Sequence, residues 1–137
     1  MGKRPTSLQH IRRSGEVGNE KPRKYRNKKV TFAGITFDSQ REFARWKELK
    51  LLEKAGEIAE LELQPKFWLT CGGRPVLIRS KGYPKGRKSS FRADFRYYDK
   101  RTHERIVEDV KGYDTYRSRF RRAVVEAEYG IEIKIVR

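Results

Sequence analysis

Large apolar residues, sulfur and imidazole are all scarce in this chain. Of 137 residues, one is cysteine, one methionine, two are histidine and two tryptophan. The lone Cys71 excludes an internal disulfide framework and any zinc site built from several cysteines. His10 and His103 are far apart in sequence, which argues against a zinc pair, and neither is placed to serve Cys71 as a nucleophile's base. Hydrophobic residues amount to 36%, against roughly 45–50% in an average globular chain. Part of the chain is therefore expected to stay outside any core. No run approaches the roughly 18 apolar residues of a membrane span. The N-terminal stretch lacks the apolar core of a secretory signal. Its Arg-rich composition is that of a transit peptide, but Glu16, Glu20 and the shortage of apolar residues argue against one. The expectation is a cytoplasmic protein with no membrane partner.

Positive charge, by contrast, is abundant. Lys and Arg number 34 against 18 Asp and Glu, a formal net charge of +16. The natural partners of such a chain are polyanions, nucleic acid first. The excess is unevenly spread. Residues 1–29 carry ten Lys or Arg against Glu16 and Glu20, with two prolines and almost no large apolar side chains. Such a segment buries too little surface to offset its ordering entropy and reads as a disordered basic arm. Lys24, Arg26, Lys28 and Lys29 are its candidate phosphate contacts. Within 30–137, the stretch Arg79 to Arg92 holds six cations and no acid, interleaved with Gly82, Pro84 and Gly86. It reads as a mobile basic loop in which Lys81, Lys85, Arg87, Lys88 and Arg92 would meet phosphates. A third cluster is Arg117, Arg119, Arg121 and Arg122.

The elements follow from periodicity. Val30–Phe32 and Ile35–Phe37 flank Ala33-Gly34 as a short hairpin. Asp38 or Ser39 caps a helix running to about Ala55, with Gly56 at its end. Phe43, Trp46, Leu49 and Leu52, widened by Ala44, Leu51 and Ala55, predict a mostly buried helix. Alternation from Ile58 to Thr70 predicts one long strand, bent at Pro65. Pro75–Ile78 is a short strand before the basic loop. Phe91–Tyr98 and Arg105–Lys111 pair as a hairpin across Asp99–Glu104. Its rings fit a core better than a base-stacking surface. Tyr116, Phe120, Ala123, Val124 and Ala127 predict the inward face of a second helix capped by Gly130. Ile131, Ile133 and Ile135 form the last strand. The class is α/β, an α-β-β-β-α-β order with a mixed sheet after a short β-hairpin.

Chemistry concentrates in one hairpin. If it closes symmetrically, paired positions sum to 203, so Asp94 opposes Asp109 and Arg92 opposes Lys111. Alternation then puts Asp94, Asp109 and Lys111 on one face. Opposed carboxylates repel, which protonation of one or a bound hard cation such as Mg²⁺ or Mn²⁺ relieves. Lys111 can hold or polarise a water there. Glu42 offers a further acid at the first helix opening, although Ser39-x-x-Glu42 equally reads as a capping box. Gln64 sits on the polar face of the preceding strand. The competing reading is ordinary pairing of these acids with Arg92 and Arg96. Gly82–Ser89 lacks the spacing and leading strand of a phosphate loop.

Asp94 followed by Asp109-Val110-Lys111 at the end of an apolar strand resembles the PD-(D/E)xK nuclease signature, with Ala93-Asp94 where that signature has Pro-Asp. The element order is similar to that superfamily's restriction-endonuclease-like core. Glu42 occupies the place where its Holliday-junction resolvases and TnsA-type transposon endonucleases carry a metal-binding glutamate. Gly34–Ser39, Leu61–Phe67, Ala93–Phe95 and Val107–Gly112 resemble small phage-encoded nucleases of the same group. The resemblance spans about residues 24–137. Beside the basic arm read from composition over 1–29, it implies a nuclease domain over 30–137 and Mg²⁺-dependent hydrolysis of DNA phosphodiester bonds, with Mn²⁺ able to substitute. Asp94, Asp109, Glu42 and the Val110 carbonyl would bind metal, Lys111 would serve the attacking water, and Gln64 would assist. It further implies branched DNA, a role in DNA recombination and a bacterial host cytoplasm. Symmetric cutting of two strands would suit a homodimer. The alternatives are a duplex or nicking endonuclease without junction preference, and a non-catalytic basic DNA-binding module.

Overall fold

A computed structural model describes residues 27–137. The expected arm, with Lys24 and Arg26, lies almost wholly outside the described residues. β1 (Val30–Phe32) and β2 (Ile35–Phe37) form the expected hairpin. Ala33 and Gly34 both take positive φ, 48° and 78°, the pair of left-handed residues a tight type I′ turn needs. α1 follows over Gln40–Lys54. Ser39 is its N-cap, the hydroxyl accepting from Glu42 N at 3.1 Å.

The strands are more fragmented than alternation implies. The single strand expected from Ile58 to Thr70 is three: β3 (Ile58–Leu63), β4 (Lys66–Trp68) and β5 (Thr70–Cys71). β5 turns back on β6 (Arg74–Pro75). The expected mobile basic loop is instead a second hairpin, β7 (Leu77–Ser80) and β8 (Tyr83–Lys88). Its residues are nearly all exposed, so no apolar alternation marks it. At Gly86, φ is +95° and a Cβ would sit 2.6 Å from Leu77 Cβ, so only glycine fits. The strand expected over Phe91–Tyr98 is β9 (Ser90–Arg92) and β10 (Phe95–Asp99), broken at Ala93-Asp94. β11 (Glu104–Val110), α2 (Tyr116–Tyr129) and β12 (Ile133–Val136) complete the chain.

The main sheet runs β12-β11-β10-β3, parallel between β11 and β12 and antiparallel elsewhere. Its elements appear in the chain as α1, β3, β10, β11, α2, β12. The result is a mixed α/β fold with one apolar cluster under each helix. Leu49, Ile58, Phe95 and Tyr97 fill the α1 side. Phe67, Leu69, Phe91, Ala93, Val107, Val125 and Ile133 fill the α2 side. The rings of Phe91, Phe95 and Tyr97 are thus core. Among the described residues no helix is long and apolar enough to cross a membrane.

Both helices bury less than their sequences suggest. In α1 only Glu42 and Leu49 are fully buried, while Leu51 is exposed and Phe43 and Trp46 share a ring cluster with Phe32 and Phe37. In α2 most of the expected inward face is turned out, Val124 alone of it packing against the core. Tyr116 and Phe120 are exposed and stack on each other, and Arg122 and Val125 point inward instead. The cause is charge: Asp109 and Asp114 lie under this helix, and a buried carboxylate requires a partner more than Phe120 requires burial. Arg122 supplies it, with Nη2 2.6 Å from Asp114 Oδ2.

One buried ion pair ties α1 to the sheet. Glu108 is 1% exposed and accepts from Arg45 Nε and Nη2 at 2.9 and 2.7 Å and from Tyr97 Oη at 2.5 Å. Arg45→Met leaves that carboxylate buried with the tyrosine alone, and should cost about 3 kcal/mol in urea denaturation. Arg45→Met with Glu108→Gln, which removes the charge as well, should regain part of the loss.

Candidate active site

The site begins at a paired interruption in two strands. Pro65 has no N–H to give a ladder, and β3 ends just before it. Opposite, β10 begins only at Phe95. Between them Gln64 N donates to Asp94 O at 2.8 Å, Ala93 N to Pro65 O at 3.1 Å, and Asp94 N to Glu108 O at 3.0 Å. Asp94 thus lies outside any strand while its own N–H and C=O are both bonded. Gln64 reaches this geometry at φ 52°, a left-handed conformation that costs a non-glycine residue energy.

Register then sets the second acid. β10 and β11 pair as Phe95↔Glu108 through Asp99↔Glu104, the spacing that opposes Asp94 to Asp109. Glu108 faces α1, where Arg45 and Tyr97 hold it, so Asp109 is the β11 acid that lines the cleft. Glu42 enters from the α1 opening. Ser39 caps the helix, yet Glu42 is not lost to capping. One of its oxygens, Oε2, accepts from Asp38 N at 3.2 Å, and the side chain is buried against the cleft. The two readings of Glu42 are therefore compatible.

These acids line one cleft of about 890 Å³, together with Gln64, Arg92, Val110 and Lys111. Burial pushes the Asp94 carboxyl up to about 8, with the charge of Glu42 adding to it and the Val110 N–H, 2.6 Å from Asp94 Oδ2, opposing it. Burial also raises Glu42, with Arg92 and Gln64 partly offsetting it. Asp109 Oδ2 is buried without a hydrogen bond. It does have ionic neighbours, Lys111 Nζ at 3.3 Å and Arg122 Nη1 at 3.7 Å. The attraction is real but undirected, so one lone-pair set remains free.

Among the described residues, no three His, Cys, Asp or Glu side chains are drawn together into a cage around an ion. The donor set nonetheless suits a hard divalent cation. All its members are oxygens, one is buried without a hydrogen-bond donor, and another, Asp94, has its pKa raised by burial and by the charge of Glu42.

The cations divide into two groups. Arg92, Arg117 and Arg121 line a second cleft, with Lys66, and Lys111 and Arg92 line both clefts. Lys28 borders the first, and Lys29 is exposed beside it in sequence. Lys81, Lys85, Arg87 and Lys88 stand exposed on the β7–β8 hairpin. Arg119 is exposed and donates to Asp114 O at 3.1 Å. Arg122 belongs to neither group. It is 8% exposed and neutralised by Asp114, so it is not a surface phosphate contact. Trp68 was not anticipated. It is 46% exposed beside the second cleft, and its phase is legible: inward Phe67 and Leu69 leave Trp68 facing out.

The matched family is described as a protein of unknown function, DUF1064, and its family model covers residues 22–136. The chain belongs to that family. No curated protein and no solved structure matches it.

The Asp94 shift has a consequence for stability. An acid whose folded pKa is raised favours the folded state least when ionised. Between its ordinary value of 3.8 and about 8, the unfolded chain loses this proton while the fold keeps it, so stability falls as pH rises through that window. In EDTA, the thermal midpoint should fall by several degrees more from about pH 5 to about pH 8 in wild type than in Asp94→Asn. Equal slopes would remove the buried-acid reading.

Proposed function

We propose that this protein is a metal-dependent DNA endonuclease with a restriction-endonuclease-like core, a member of the PD-(D/E)xK group. One observation carries the reading. Glu42, Asp94, Asp109 and Lys111 come from a helix opening, a strand break and a strand end, and they line a single cleft. The order α1, β3, β10, β11, α2, β12 around a mixed sheet supports it, as does the motif Asp94, Asp109-Val110-Lys111.

Asp94, Asp109, Glu42 and the Val110 carbonyl would hold Mg²⁺ or Mn²⁺. A divalent ion bound there stabilises charge on a phosphate and lowers the pKa of its water. The protein's own groups do the rest. Arg92 and Lys111 draw a phosphodiester towards the acids, which would otherwise repel it. The Lys111 ammonium, held by Asp109, orients the attacking water and stabilises negative charge developing on the phosphorus oxygens. Gln64 supports Glu42 from the side. Val110 N–H fixes the Asp94 carboxylate.

Branched DNA is the substrate the resemblance favours, and a homodimer would supply two sites for symmetric cutting. A duplex or nicking enzyme uses the same site without the junction preference. The rival from another class is a non-catalytic DNA-binding module. The ion pairs of Asp109 with Lys111 and Arg122 favour it, because they already provide the acid with partners.

The test compares four-way junction, duplex and single-stranded DNA with Mg²⁺, Mn²⁺ or EDTA. Wild type should cut only with metal, Asp94→Ala and Asp109→Ala should not cut, and Lys111→Ala should lose about 10²–10⁴-fold in rate with binding retained. Binding without cutting in either metal would establish the rival. Normal cutting by both aspartate variants would relocate the site.

A further inference from the structure

We infer that the outward face of the β4–β9 ribbon is a track for single-stranded nucleic acid, with Trp68 as the platform on which an unpaired base stacks. The inference rests on the nucleic-acid half of the proposed function and not on cleavage.

Register builds this face. β4 and β9 pair Lys66↔Arg92, Phe67↔Phe91 and Trp68↔Ser90. Phe67 and Phe91 are buried in the core under α2, so alternation turns Lys66, Trp68, Ser90 and Arg92 outward together. Trp68 is 46% exposed, although the chain covers its other tryptophan, Trp46, with Phe32, Phe37 and Phe43. Two cations attend the exposed indole. Lys66 Nζ lies 3.9 Å and Lys88 Nζ 6.0 Å from its ring centroid. A nucleotide would suit all three groups better. Its phosphate takes the ammoniums, and its base takes the ring face they leave.

The track leads to the acids. The second cleft, about 670 Å³, is lined by Lys66, Arg92, Lys111, Arg117 and Arg121 and by no carboxylate. It shares Arg92 and Lys111 with the acid cleft. In β9, Ser90 and Arg92 are alternate residues, a step of roughly 6.6 Å in extended backbone, and Asp94 follows two residues past the end of that strand. A strand lying here would meet the indole first, then the Lys66–Arg92 pair, then the acids. A duplex offers an indole only base edges and phosphates, because its base faces are already stacked. An unpaired strand offers a free face, and exposed rings in a basic groove bind such strands with little sequence preference. The nucleic acids this favours have an unpaired stretch, as a flap, a fork or an opened junction does.

The test reads binding in EDTA, so cleavage plays no part. In Trp46→Phe, Trp68 is the only fluorophore of its kind. Oligothymidylate should quench it, while a blunt duplex and polyglutamate, which offers charge without bases, should not. By anisotropy of labelled DNA in an otherwise unaltered chain, Trp68→Ala should weaken oligothymidylate binding about 5- to 100-fold and duplex binding less than about threefold, with Trp68→Phe between. No quench, quenching by polyglutamate, or equal losses on both DNAs would overturn the inference. Quenching by a protein that never cuts DNA would support it while removing the hydrolase reading. Cutting without the quench would remove the track alone.

Discussion

Glu42, Asp94 and Asp109 share one half-buried cleft with the exposed Asp38, and the repulsion among these carboxylates sets the terms for what surrounds them. Taken from water without partners, each would cost several kcal/mol. Around this cleft the fold answers each acid differently. Asp109 receives Lys111 and Arg122 as ionic neighbours. Glu42 receives the Asp38 N–H and the nearby charge of Arg92. Asp94 receives one backbone N–H, and burial and the charge of Glu42 raise its pKa. The orientation of α2 follows from the same demand. Turning Arg122 inward leaves Tyr116 and Phe120 in water, an arrangement apolar burial alone would not choose.

The interruption at Gln64-Pro65 and Ala93-Asp94 is the structural device behind this cleft. An unbroken strand would hold its side chains perpendicular to the sheet and leave Asp94 on a flat surface. Breaking both partner strands at one level lets β4 and β9 leave the main sheet as a separate ribbon. At the gap Asp94 keeps both its N–H and its C=O bonded, so the acid is displaced without losing order. The same departure turns Trp68 and Lys66 to the solvent beside the cleft. Acid centre and basic ribbon are therefore two results of one irregularity.

Register, caps and the first hairpin were legible because each is a local rule. The sum of 203 for β10 and β11, the Ala33-Gly34 turn and the Gly130 cap needed only neighbours in sequence. The strand breaks were not legible from alternation, because Leu61, Leu63, Pro65, Phe67 and Leu69 keep one phase across the gap. Inward residues on either side belong to different clusters, which periodicity cannot distinguish. The β7–β8 hairpin was hidden for the opposite reason. With both faces in water it has no apolar phase, and its backbone ladder and Gly86 carry the geometry. Arg122 was misread as surface because composition counts a charge without asking which acid it meets.

The net charge of +16 gains meaning from this division. Some of the 34 Lys and Arg are taken up inside the fold, Arg45 by Glu108 and Arg122 by Asp114, and are not offered to any polyanion. Near the acids stand Lys28, Arg41, Arg92 and Lys111 in their own cleft, and Lys66, Arg117 and Arg121 in the cleft beside it. A surface of cations alone would bind phosphates indiscriminately and hold them. A cleft of acids alone would repel them. Arg92 and Lys111 stand on the wall common to both clefts, so the positive charge of the second cleft runs on into the lining that the carboxylates share. On the proposed reading, a phosphodiester drawn along that wall would meet oxygens it could approach only with a cation between them. That juxtaposition, more than the overall excess of positive charge, would set the cleft apart from a plain binding surface.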